Sequence, residues 1–147
     1  MKHIFLVAIF FATIQLYSQK QVIGKIYKAQ ISASCKEFND GGGCIDYRYC
    51  TLQFRKKTVM ISYQNESHCT PHNKDENDNN LNDDLNKKYF WTVQNTTISI
   101  KGFNDYGELI IKNKKLIGKK EMNYNEYVKL EFEQLDVQTK SGGLSKG

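Results

Sequence analysis

The sequence predicts an all-β protein, and within that class an eight-stranded antiparallel up-and-down barrel, with a two-sheet β-sandwich as the alternative. Three observations carry the prediction. After the first twenty or so residues, apolar and β-branched side chains alternate with Lys, Glu, Gln or Ser at a period of two. Eight such stretches follow one another between polar turns, and none has the period of a helix. The turns can be placed so that inward residues face inward residues, as antiparallel pairing demands.

The first stretch, VIGKIYKAQISAS, turns Tyr27, Ala29, Ile31, Ala33 and Cys35 to one side. The second, IDYRYCTLQF, offers Cys50, Leu52 and Phe54; KTVMISYQ offers Val59, Ile61 and Tyr63; KKYFWTVQ offers Tyr89, Trp91 and Val93. Then come Ile98 and Ile100, Leu109 and Ile111, Leu116, and finally Val128, Leu130 and Phe132 in EYVKLEFEQLD. A hairpin centred on Lys56-Lys57 sets Phe54 opposite Val59, and one on Asn95-Thr96 sets Val93 opposite Ile98. One on Asn104-Asp105 sets Ile100 opposite Leu109, and one on Asn113-Lys114 sets Ile111 opposite Leu116. Asn suits these turns because it tolerates the positive φ that tight hairpin loops require.

The same register speaks to the four cysteines. Extending the Lys56-Lys57 hairpin brings Cys44 opposite Cys69, and centring the preceding hairpin on Gly42-Gly43 brings Cys35 opposite Cys50. The expected disulfides are therefore Cys35 with Cys50 and Cys44 with Cys69. The rival set, Cys35 with Cys44 and Cys50 with Cys69, would move the second hairpin's centre into the strand at Val59.

An even number of cysteines fits an oxidising compartment, and the N-terminus agrees. Lys2 precedes an apolar run from Ile4 to Leu16 that is short for a membrane anchor and ends near Tyr17-Ser18-Gln19. Residues 1–18 are thus expected to be a signal peptide, cleaved near Ser18, and the protein to be secreted or periplasmic. The expected layout is one barrel domain over 19–137, a polar acidic loop over 70–88 and a disordered tail over 138–147.

The formal net charge of +5 is unevenly spread, because residues 65–86 carry six carboxylates against the single Lys74. Basic residues elsewhere are scattered singly along strands, which describes a solvated face and not a nucleic-acid surface.

Over Gln21 to Asp136 the chain resembles the lipocalin-like group of small secreted bacterial β-barrel proteins. The resemblance rests on GKIYKAQI, on the aromatic YFWTVQ strand and on the succession ISIKG…GELIIKNKKLIG. It implies the barrel and brings no catalytic residues with it. The Gly-x-Trp of the lipocalin first strand reads Gly24-Lys25-Ile26 here, and the one Trp is Trp91.

Three chemistries compete for HCTPHNKDENDNNLNDDLN, residues 68–86. His68, Cys69 and His72 are transition-metal ligand types, although a bridged Cys69 offers no thiolate. Asp75, Asn77 and Asn79 match the first, third and fifth positions of a calcium loop, but the twelfth is Asn86, which cannot give a bidentate carboxylate. A plain solvated loop is the preferred reading.

No nucleophile elbow, phosphate loop or zinc-protease helix motif occurs, so no enzyme activity and no cofactor are expected. The expected function is a non-catalytic binding or interaction protein working through its loops and outer face, with Tyr47 and Tyr49 as candidate protein contacts. A barrel holding a small apolar ligand against Tyr27, Tyr63, Tyr89, Trp91 and Phe132 is the alternative, and a weak calcium-binding envelope protein a third. The inward set is rich in large rings, with Ala29, Ala33 and Gly118 the main small members, which favours a filled barrel. A monomer is expected, with an unknown protein or small apolar ligand as partner, no nucleic acid and no transmembrane segment in the mature chain.

Overall fold

Period-two alternation commits one face of each strand to the core, and joining eight such strands edge to edge until the last meets the first leaves no open edge around the core. The computed structural model, which describes residues 19–39, 42–70, 86–122 and 126–136, has this form: a closed barrel of eight antiparallel strands in chain order. They are β1 (Ile26–Glu37), β2 (Gly43–Phe54), β3 (Thr58–Cys69), β4 (Lys87–Gln94), β5 (Thr97–Ile100), β6 (Leu109–Lys112), β7 (Lys115–Glu121) and β8 (Tyr127–Leu135). The leader expected over 1–18, most of the polar loop at 70–88 and the tail at 138–147 lie outside the described residues.

Three hairpins have the register read from the sequence: Phe54 faces Val59, Val93 faces Ile98 and Ile111 faces Leu116. Asn95, Asn113 and Lys114 adopt positive φ in two of these turns, which matches the right-handed twist of the strands they join. The turns at 55–57, 95–96 and 113–114 gather at one end, the base of the barrel. A single helical turn over 19–22, too short to announce itself by periodicity, buries Val22 completely in the core. Gly24 then donates its amide to the Phe54 carbonyl, and the Trp91 indole donates to the Arg55 carbonyl at 2.9 Å. With Tyr27, Phe54, Phe132 and Leu116 also inaccessible, the lower barrel is packed solid.

Two registers differ from expectation. The β1–β2 hairpin does not turn on Gly42-Gly43. Glu37 pairs with Gly43, Phe38 donates its amide to the Gly42 carbonyl, and an irregularity between Gln30 and Ser32 reverses the alternation in the upper half of β1. Cys35 therefore stands opposite Ile45 on the outer face, while Cys50 stands opposite Ala29 inside. The expected Cys35–Cys50 disulfide is not formed and both are free thiols, Cys35 exposed and Cys50 buried. Ala33 is turned outward with Cys35. Cys44 and Cys69 do pair, and they form the disulfide. The second difference is between β5 and β6, where Leu109 faces Ile98 instead of Ile100, so the connection is a longer loop, 101–108. The shift is two residues, which keeps the same face inside, and it frees Phe103 and Tyr106 to be buried.

The ladders are uneven in length. β2 pairs with both neighbours along its whole length, but β3 meets β4 only through Thr58–Ile61, and β1 meets β8 only through Ile26–Lys28. The upper halves of β1, β2 and β3 therefore continue past the barrel rim as a three-stranded ribbon, with the disulfide at its tip.

Because that bridge closes a span of 25 residues at the end of a ribbon, Cys44→Ser/Cys69→Ser should lose about 2–4 kcal/mol of stability in urea unfolding. Thiol titration of the native wild type should find Cys35 reacting at once and Cys50 only on unfolding. A chain with no reactive thiol would restore the two-bridge arrangement.

Candidate functional site

The site forms where the alternation runs off the top of the core. Loop 101–108 folds inward, placing Phe103 and Tyr106 over the packed interior. Their rings meet at 5.5 Å, Tyr89 packs on Phe103 at 5.5 Å, and Tyr106 packs edge-on against Phe132 at 5.4 Å. The Tyr106 carbonyl accepts the Lys119 amide, and Gly118 makes room for it, since a Cβ there would lie 3.1 Å from the Tyr106 backbone oxygen. An aromatic floor thus closes the lower barrel.

Above that floor is a cavity of about 730 Å³. Its apolar wall comes from Ile31, Ile61, Tyr63, Tyr89 and Phe103, and its charged rim from Arg48, Lys87, Asp105, Lys120 and Glu121. Lys120 points inward from β7 and donates to the Ile31 carbonyl at 3.3 Å, where the irregularity in β1 interrupts the ladder.

A polar chain descends from the rim into the floor. The Tyr63 hydroxyl donates to Asp105 Oδ2 at 3.1 Å, and the Tyr106 hydroxyl lies within hydrogen-bonding reach of both Tyr63 and the Cys50 thiol. Arg48 lies over the Tyr63 ring at 5.1 Å. Burial pushes the Cys50 thiol up to about 12 and the Tyr63 phenol up to about 12, and raises Tyr106 as well. At neutral pH Cys50, Tyr63 and Tyr106 are protonated, so the floor holds neither a thiolate nor a phenolate.

The candidates named from the sequence fall in different places. Tyr63 and Tyr89 line the cavity; Tyr27, Trp91 and Phe132 belong to the packed core below it. Tyr47 and Tyr49 are half-buried on the outer face of the ribbon, 6.4 Å apart, with Lys28 lying across Tyr49 and His68 against Tyr47. Lys28 also pairs with Glu66 at 2.7 Å. His68 is exposed near the end of β3, and Cys69 is bridged, which removes it as a thiolate ligand. His72, Asp75, Asn77 and Asn79 lie outside the described residues, and among the described residues no three His, Cys, Asp or Glu side chains group as a metal site. Among the described residues, no helix is long and apolar enough to cross a membrane.

Arg48, Asp105, Tyr106 and Lys120 were not singled out by sequence. A signal for two of them exists: Arg48 and Lys120 continue the inward alternation of Cys50-Leu52 and Leu116-Gly118. Asp105 and Tyr106 depend on how loop 101–108 folds, which alternation does not encode.

The neutral thiol and phenol give the fold a base limit. Their folded pKa values stand above the ordinary ones near 9 and 10, so the stability they confer is fully present below about pH 9 and is lost as pH rises toward 12. Unfolding free energy measured by urea from pH 8 to 11.5 should fall, and fall less steeply in Cys50→Ala/Tyr63→Phe. Equal slopes in the two proteins would mean that these groups are not held neutral by the fold.

Comparison with family models, curated proteins and solved structures finds no match to this chain.

Proposed function

We propose that the chain is an exported, non-catalytic binding protein that holds a small molecule in the mouth of its barrel. The observation that carries this reading is the cavity of about 730 Å³ seated on a closed aromatic floor. That size falls within the usual range for small-molecule sites, which combine an apolar wall with a few placed polar groups. An eight-stranded barrel has little spare interior, and with the lower half filled, the room that exists lies at the mouth.

The protonated Cys50–Tyr106–Tyr63 chain supports a binding role over a catalytic one, because none of the three is a base or nucleophile at neutral pH. The Cys44–Cys69 bridge, together with the basic and apolar N-terminal residues, supports export. Protein contact through the outer face of the ribbon is the second reading. It rests on Tyr47, Tyr49 and His68, and it ranks lower because Lys28 already covers part of that surface.

The neutral fluorophore N-phenyl-1-naphthylamine tests the first reading. Its emission should rise with one saturable site per chain, and the rise should vanish in Ile31→Trp and in Asn104→Trp, two cavity-wall positions on different elements. Both variants should keep cooperative melting. No enhancement with the wild type, or undiminished enhancement in both variants, would sink the mouth as a binding site.

A further inference from the structure

We infer that the ligand of the mouth is an amphipathic organic anion: one acidic head group on an apolar or aromatic body. The inference rests on the proposed mouth site and adds the ligand's charge. Along β4, the inward positions read upward as Val93, Trp91, Tyr89 and then Lys87. Along β7 they read Leu116, Gly118 and then Lys120, and along β2 they read Phe54, Leu52, Cys50 and then Arg48. On three strands spread around the barrel the apolar series ends in a cation, and all three cations line the cavity.

Cations gathered at one mouth make it attractive to an anion unless carboxylates answer them. For the two lysines the carboxylates of the lining do so poorly. Asp105 already accepts the Tyr63 hydroxyl, and Glu121 is exposed at the end of β7, on the outward parity next to Lys120. Among the described residues neither Lys87 nor Lys120 has an ion-pair partner; Lys120 has only the Ile31 carbonyl. On the outer face, by contrast, Lys115 lies between Glu131 and Glu133, and Lys129 pairs with Glu131. Beneath the inward cations the wall includes Ile61, Tyr89 and Phe103, which suits an apolar body. A neutral apolar ligand would leave the inward ammonium groups unanswered, and a cationic one would be repelled.

Two probes with the same aromatic body separate the charge from the site: 1-anilinonaphthalene-8-sulfonate and the uncharged N-phenyl-1-naphthylamine. At low salt the sulfonate should bind about tenfold more tightly or better, and the advantage should shrink as salt screens it. Lys87→Gln/Lys120→Gln should bring the sulfonate down to the affinity of the neutral probe while leaving the neutral probe unchanged. Lys57→Gln/Lys112→Gln, which removes the same charge from exposed positions, should change neither. Should the double variant melt early, Lys87→Gln alone, at an exposed strand start, should give a partial loss of the same sign. If the neutral probe binds and the sulfonate does not, the mouth site stands and the anion inference fails. If neither binds, both fail. A sulfonate advantage that survives the loss of Lys87 and Lys120 also overturns it.

Discussion

Tyr106 is the residue on which the two halves of this barrel depend. Its ring packs against Phe103 above the core and Phe132 within it, its carbonyl takes the Lys119 amide, and its hydroxyl joins Cys50 to Tyr63. A loop residue thereby serves as a core residue, and it does so only because Gly118 lacks a side chain: a Cβ there would stand 2.9 Å from Leu109 Cδ2 and 3.1 Å from Tyr106 Cβ. Below this contact every inward side chain has apolar neighbours. Above it the chain stops supplying them, and a cavity remains.

The short ladders shape what lies above. β3 leaves β4 after Ile61, and β1 leaves β8 after Lys28, so strand pairing no longer holds the upper barrel closed on those two sides. What steadies it there is specific instead of periodic. The disulfide ties the start of β2 to the end of β3, Thr70 and Gly43 exchange hydrogen bonds beyond it, and Lys120 reaches the β1 carbonyl that the irregularity exposes. Asp46, held below the usual carboxylate range by Ser67 and Lys36, links all three ribbon strands on the concave side. A cross-link at the tip of a three-stranded ribbon limits its fraying far more than one within the barrel would, because the barrel is already closed by its own ladder.

The barrel was legible in the sequence because its signal is redundant. Val93 with Ile98, Phe54 with Val59 and Ile111 with Leu116 each set the same face inside, and a slip of one residue at any of them would turn a row of apolar groups to water. The failures occur where that redundancy ends. In upper β1 the alternating residues are Ala, Ser and Cys, all small, so reversing them costs little apolar burial, and Cys35 and Cys50 lose the register that would have joined them. Between β5 and β6 the shift by two preserved the faces, leaving parity silent about it. What decided it was the burial of Phe103 and Tyr106, a tertiary gain that a local turn rule does not weigh. The candidate site lies where these two irregular segments meet, which is why alternation reaches Tyr63, Tyr89, Arg48 and Lys120 but not Asp105 and Tyr106.

The floor and the rim also explain each other's chemistry. Cys50, Tyr106 and Tyr63 form a chain whose only formal charge is at its outer end, on Asp105, so burial costs no ionised group in the floor. The same arrangement commits Asp105 inward to a hydroxyl, and a carboxylate so engaged is a weaker counter-ion for Lys87 or Lys120 across the mouth. Asp105 thus belongs to both parts: it ends the polar chain of the floor and stands among Arg48, Lys87, Lys120 and Glu121 at the rim.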